Sequence, residues 1–450
     1  MEQKPRKKQK THRTPNRRAL LGALLVLSLA LVALLIRHVT GAGIGVPRHR
    51  SGVITQAETS TDVGLAATVA TDEPTIDTPL TTLPTEPPTT EPPTTEPPVT
   101  EAPELQQARE ILDGMTLEEK VYQLFFVSPE TLTGISYVSF AGDDTRAALE
   151  AMPVGGILYE RQNIQGHDQT VNMIAGAQAL SKLPLLTGVM EEGGTASVAA
   201  GILTDYLDNM AVYGATSDPE TVRALGRTMG QQLAEAGICV DFAPVADLSA
   251  NPVNTEVGQR AFGSDPQKVA DFVEAMTQGL QESGVAACVK HFPGLGAEAE
   301  STVLGLVLSD KTMQQLRQTS LIPFRAAIDA DAKMILVSHL TMDRLVTGDV
   351  PASLSPEIVT DILREELGFD GVVITDSLQI GAIVNLFDEK SAVLNALKAG
   401  CDMLLEPRDL SAAAQYILDA VEAGSLTEER IDESVLRILR LKIELGLFEE

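Results

Sequence analysis

The chain has only three cysteines in 450 residues, Cys239, Cys288 and Cys401. The count is odd and each thiol sits inside an apolar run, which argues against a disulfide framework and for buried free thiols. No Cys and His residues share the spacing of a zinc site, so no metal is expected. No Gly-x-Gly-x-x-Gly follows the first predicted strand, which weighs against a dinucleotide-binding open sheet. Positive charge is scarce beyond the N-terminus. The net charge is −28, yet residues 1–50 carry eleven Lys/Arg against one Glu, so the remaining 400 residues carry −38. Such a body repels phosphate and argues against nucleic acid as a partner. Residues 70–104 have few apolar side chains and cannot build a core.

The N-terminal quarter divides by composition. Residues 1–18 form a basic segment with Lys4, Arg6, Lys7, Lys8, Lys10, Arg13, Arg17 and Arg18. Residues 19–36 are an unbroken run, apolar except for Gly22 and Ser28, and long enough to span a bilayer. The basic flank belongs on the cytoplasmic side. A cleaved signal peptide has a shorter apolar core and a small-x-small site, which Thr40-Gly41-Ala42-Gly43 matches poorly. The expectation is a single-pass signal-anchor in the cell membrane, with the body extracytoplasmic. Residues 37–104 read as a disordered Thr/Pro/Glu-rich linker. Glu-Pro-Pro-Thr-Thr begins at Glu86 and again at Glu91, and Glu96-Pro97-Pro98-Val99-Thr100 continues it. Proline extends such a tract at about 3.1 Å per residue, giving a stalk.

Residues 105–450 are regular. Thr116-Leu117-Glu118-Glu119 has the form of a capping box. Predicted strands cover Gln123–Val127, Gly156–Tyr159, Pro184–Met190, Ile238–Pro244, Ala286–His291, Met334–His339, Gly371–Asp376 and Asp402–Glu406. Helical stretches such as Asp218–Ala236, Pro266–Ser283, Lys311–Asp329 and Pro356–Leu367 lie between them. Eight strands alternating with helices over about 340 residues predict an α/β fold, a (β/α)8 TIM-type barrel.

In such a barrel, functional groups collect at the C-terminal ends of the strands. The third predicted strand ends in Met190-Glu191-Glu192-Gly193-Gly194, and the fourth leads to Asp241, Asp247, Asn251, Asn254 and Arg260. The fifth ends in Lys290-His291, followed by the turn Pro293-Gly294-Leu295-Gly296. The sixth ends at His339, the seventh at Asp376 and the eighth at Glu406-Pro407. A carboxylate at the position of Asp376 can attack a sugar anomeric carbon or can cap the next helix.

Several of these segments resemble glycoside hydrolase family 3, in its β-N-acetylhexosaminidase branch. They are Lys290-His291-Phe292-Pro293-Gly294-x-Gly296, Asp241-Phe242-Ala243-Pro244-Val245-Ala246-Asp247 and Gln259-Arg260-Ala261-Phe262-Gly263. Leu367 to Asp376, Ala399 to Leu405 and Arg430 to Val435 are similar to it too. The resemblance covers roughly residues 105–450. It implies a (β/α)8 barrel, retaining hydrolysis of β-linked N-acetylhexosamine from glycans or peptidoglycan fragments, and no cofactor. It also implies that Asp376 is the nucleophile and that Arg260, Lys290 and His291 hold the sugar. Glu192 and His339 join them as expected substrate-binding residues.

Three positions depart from the family pattern. Met190 stands where the family has a sugar-contacting Asp, and Thr195 stands at an Arg. The loop Ala299-Glu300-Ser301-Thr302-Val303 lacks the family's acid/base histidine. Two expectations follow. Either Glu300 (or Glu298) replaces that histidine, or the chain binds glycan without turning it over.

Overall fold

The computed structural model describes residues 102–448. The predicted basic segment, anchor and nearly all of the linker lie outside the described residues. Among the described residues no helix is long and apolar enough to cross a membrane.

Eight parallel strands make the core: β1 (Phe125–Val127), β2 (Gly156–Leu158), β3 (Leu186–Val189), β4 (Val240–Asp241), β5 (Ala286–Phe292), β6 (Met334–Val337), β7 (Val372–Thr375) and β8 (Leu404–Leu405). They pair in the order β8-β1-β2-β3-β4-β5-β6-β7. A single bridge between Ile374 and Met403 brings β7 to β8, so the sheet curls into an almost closed TIM-type barrel. Every strand is buried along its length, as apolar runs covered by helices require. Glycine sets how closely the barrel packs. Phe126 and Phe242 meet edge to face with centroids 5.2 Å apart, across two intervening strands. A Cβ on Gly188 would lie 2.7 Å from the Phe126 ring and 3.0 Å from that of Phe242.

All eight predicted strands are present, and all three cysteines are buried and free. The Thr116–Glu119 capping box opens helix Leu117–Gln123 in both its bonds. Asp218 and Asp265, each followed by proline, cap helices Pro219–Glu235 and Pro266–Gln281 through their side chains. Two expectations needed correction. Gln123 ends a helix rather than starting a strand, and the stretch Lys311–Asp329 is two helices, Met313–Gln318 and Leu321–Asp329. Thr319 between them adopts a non-helical backbone, φ −135° and ψ −93°. Helix Glu357–Glu366 is wound as a π-helix.

Buried Asp402 ties the ring of helices to the barrel. It accepts from Arg364 at 2.5 Å, Ser434 at 2.8 Å, Arg437 at 3.2 Å and the Val373 amide at 2.9 Å. Asp402 therefore has a packing role at the foot of the strand, away from the site at the strands' C-terminal ends.

Candidate active site

Glu192, in the turn after β3, is the centre of charge. Its carboxylate takes both nitrogens of an Arg260 fork at 2.6 Å each and the Lys290 ammonium at 2.5 Å. Burial pushes a carboxyl up, but here Lys290 and Arg260 outweigh it and hold Glu192 down at about 2. Arg260 is raised in turn; burial opposes its charge, and Glu192 overcomes that. Arg260 also donates to the Glu256 carbonyl at 2.7 Å, which fixes the fork in place.

His291 adjoins this cluster. Its Nδ1 lies 2.6 Å from Asp247 Oδ2, and its Nε2 lies 3.3 Å from Arg260 Nη2. A guanidinium only donates, so Nε2 accepts and the ring proton sits on Nδ1, donated to Asp247. Asp247 also accepts from the amides of His291 (3.2 Å) and Leu295 (2.5 Å), so the loop after β4 clasps the turn after β5. The Lys290–His291 peptide bond is cis. Asp241 is fully buried. Burial raises its carboxyl well above the usual range, the Glu191 amide at 2.9 Å opposing, and among the described residues its Oδ2 has no partner. A neutral acid fits those surroundings.

Asp376 follows β7 and is half-buried. Its amide donates to the Val337 carbonyl at 2.9 Å, and its Oδ1 accepts from the Ser377 amide at 2.8 Å. Among the described residues Oδ2 has no partner. The next helix, Gly381–Val384, begins after Ile380, so Asp376 does not cap it. His339 is buried, with Nδ1 2.6 Å from Ser353 Oγ and Nε2 donating to the Ser377 carbonyl at 3.0 Å. Burial lowers its pKa, opposed by Asp376. Both ring nitrogens are committed within the protein, so His339 braces the backbone beside Asp376.

The remaining predicted residues are dispersed. Glu300 is exposed and, among the described residues, makes no hydrogen bond or ion pair. Glu298 is half-buried, and its carbonyl accepts from Asn254 at 2.8 Å. Met190 lines a cavity of about 500 Å³ with Leu158, Glu160 and Val198. Thr195 bonds Asn209. Sequence reasoning passed over Glu256, whose carboxylate accepts from the amide of Thr302 at 2.8 Å and its hydroxyl at 2.6 Å. Its only signal was a spacing of four residues to Arg260. Among the described residues no three His, Cys, Asp or Glu side chains converge as a metal site.

This arrangement presents donors and a partly free carboxylate at the mouth of a barrel, which suits binding and attack on a polyhydroxylated ring. Residues 116–441 match the glycosyl hydrolase family 3 N-terminal domain. A β-N-acetylglucosaminidase/β-glucosidase of Cellulomonas fimi is 31% identical over 348 residues, 75% of this chain and 59% of that protein. The β-hexosaminidase LpqI of Mycobacterium tuberculosis is 34% identical over 66% of this chain and 78% of its own. The solved family 3 β-N-acetylglucosaminidase of a Paenibacillus species superposes with a TM-score of 0.71 at 33% identity, over 75% of this chain and 64% of that one. The chain thus spans well under two thirds of the Cellulomonas protein, and 57% of the β-hexosaminidase A of Pseudoalteromonas piscicida. The chain belongs to glycosyl hydrolase family 3, through a β-N-acetylhexosaminidase-like barrel domain.

Proposed function

We propose that the barrel hydrolyses β-linked N-acetylhexosamine from glycans or cell-wall saccharides, with retention of configuration. Asp376 attacks the anomeric carbon, the glycosidic C–O bond breaks, and the departing oxygen takes a proton from a second group. Water then displaces Asp376 from the ester. Arg260, Lys290 and His291 hold sugar hydroxyls and the acyl oxygen, Glu192 orients the two cations, and His339 positions Asp376. The observation that carries this reading is the environment of Asp376, which has one oxygen pinned by the Ser377 amide and the other open. The names of the relatives supply the sugar class. Glu300 is the proton donor expected from sequence.

The test is turnover of an aryl β-N-acetylglucosaminide by the full chain and by Asp376→Ala. Wild-type turnover, with a loss of at least about 10³-fold in the variant, is expected. A fluorinated N-acetylglucosamine that traps the ester should label Asp376. Equal activity in both proteins removes Asp376 as nucleophile. One observation favours a second reading, glycan binding without turnover: both sugar-facing cations already answer to Glu192. It predicts saturable saccharide binding, no turnover and no labelling.

A further inference from the structure

A retaining mechanism needs a proton donor on the leaving-group side, and among the described residues no hydrogen bond or ion pair holds the exposed Glu300. We infer that Glu256 is the acid/base of this site, an assignment that rests on the hydrolase reading above.

Its backbone is fixed before its side chain is considered. Arg260 donates to the Glu256 carbonyl at 2.7 Å. Asn254, two residues earlier, accepts from the Val257 amide at 2.7 Å and donates to the carbonyls of Leu295 and Glu298 in the loop after β5, at 3.2 and 2.8 Å. The Glu256 carboxylate reaches that same loop, with Thr302 N 2.8 Å from Oε2 and Thr302 Oγ1 2.6 Å from Oε1. Thr302 is fully buried, and its carbonyl accepts from the Ala382 amide at 2.9 Å, while the Val303 carbonyl accepts from Gly381 at 2.9 Å. Gly381 and Ala382 lie on the segment that follows Asp376. The contact there is close, because a Cβ on Gly381 would fall 2.5 Å from the Leu304 carbonyl carbon. Glu256 is therefore braced, through one threonine, against the segment that carries the nucleophile. Glu256 is itself half-buried.

Thr302 also suits a group that changes protonation. Its two bonds occupy one lone pair of each carboxyl oxygen, so a second lone pair can carry the proton that Glu256 gives up. In the first step Glu256 gives its proton to the glycosidic oxygen as that oxygen leaves C1 and Asp376 bonds to C1. In the second, carboxylate Glu256 takes a proton from water as the water oxygen bonds to C1 and Asp376 departs. The net reaction consumes one glycoside and one water and returns the proton to Glu256.

The test compares leaving groups in the full chain. A 2,4-dinitrophenyl β-N-acetylglucosaminide needs no proton to depart, whereas an alkyl glycoside does. For Glu256→Gln, kcat/KM on the alkyl substrate should fall about 10²–10⁴-fold, while the dinitrophenyl value stays within about threefold. Sodium azide, which needs no general base, should restore kcat on the dinitrophenyl substrate and yield the β-glycosyl azide. Glu300→Gln should form no azide product. Thr302→Val, which removes the hydroxyl half of the brace and keeps the acid, should form no azide product. Equal losses on both substrates in Glu256→Gln, matched by Thr302→Val, would reduce Glu256 to a loop clasp and overturn the assignment. So would azide rescue in Glu300→Gln, or an unaffected Glu256→Gln. If the wild type neither turns over the dinitrophenyl substrate nor is labelled at Asp376, the hydrolase reading itself falls and takes this one with it.

Discussion

Glu192 carries one negative charge and faces two cations, so its removal should cost more than one ion pair. Its side chain and that of Lys290 are 5% and 2% exposed. Glu192→Gln would leave the Lys290 ammonium without its counter-charge in a dry site, at a cost of about 3–5 kcal/mol. Urea unfolding at pH 7 measures that cost directly. The folded carboxyl is held at about 2, below its unfolded value near 4.3, so its stabilising contribution is complete above the unfolded value. That contribution disappears as pH falls toward 2, and the difference between wild type and variant should shrink over the same range. A difference that stays constant from pH 6 to 3 would mean that Glu192 acts by packing alone. At this scale the sequence was legible where strand position alone placed a side chain. Arg260, Lys290, His291 and Asp376 could be named because apolar runs end beside them or a motif spans them. Glu256 could not, because its partner Thr302 is 46 residues away and meets it only once two loops have folded. His339 was legible as a strand-end residue, but its direction was not. Its bonds to Ser353 and the Ser377 carbonyl turn it away from the pocket.

Among the elements, helices Pro219–Glu235 and Pro266–Gln281 lie against each other through glycines. A Cβ on Gly279 would lie 2.2 Å from the Arg223 carbonyl oxygen and 2.8 Å from the Arg227 amide. Two effects oppose each other in Gly279→Ala. Helix propensity favours alanine by about 1 kcal/mol. Overpacking costs about 1–3 kcal/mol, and more where the obstacle is backbone that cannot rotate aside, as here. The clash should win, and thermal unfolding should show a Tm several degrees below wild type. A Tm at or above the wild-type value would mean that the two helices can part freely. The glycines at 226, 230 and 279 lie inside helices, and their reason is the neighbouring helix. The eight strands were legible because each is apolar enough to be covered on both faces. The short pair Leu308–Ser309 and Thr341–Met342 was not, since two residues set no period. The break at Thr319 was also hidden, because Lys311–Asp329 keeps helix-forming residues on both sides of it.

At the scale of the whole barrel, the last helix, Glu428–Glu444, meets the helix that precedes β1. Lys120 pairs with Glu428 at 2.9 Å and Asp432 at 2.7 Å, and buried Lys442 donates to Gln123 Oε1 at 2.6 Å. Lys442 has no carboxylate partner among the described residues, and burial lowers its pKa to about 7. The sign of the resulting pH dependence follows from linkage. Unfolded lysine titrates near 10.4, so between pH 7 and 10.4 the unfolded state holds the extra proton and stability rises with pH. Below pH 7 both states are charged, and the cost of burying the ammonium is paid in full. The useful window closes near pH 8.5, where the unfolded thiols of Cys239, Cys288 and Cys401 begin to ionise. Burial keeps the folded thiols protonated, which pulls stability the other way. Lys442→Met removes the titrating group and leaves the thiols, so the difference between the two proteins isolates it. Urea unfolding at half-unit steps from pH 7 to 8.5 should show wild type gaining roughly 1.5 kcal/mol relative to Lys442→Met. The variant should be the more stable protein at pH 6, where it escapes the buried charge. Parallel profiles would mean that Lys442 keeps its proton throughout, its charge met by Gln123 and the surrounding dipoles.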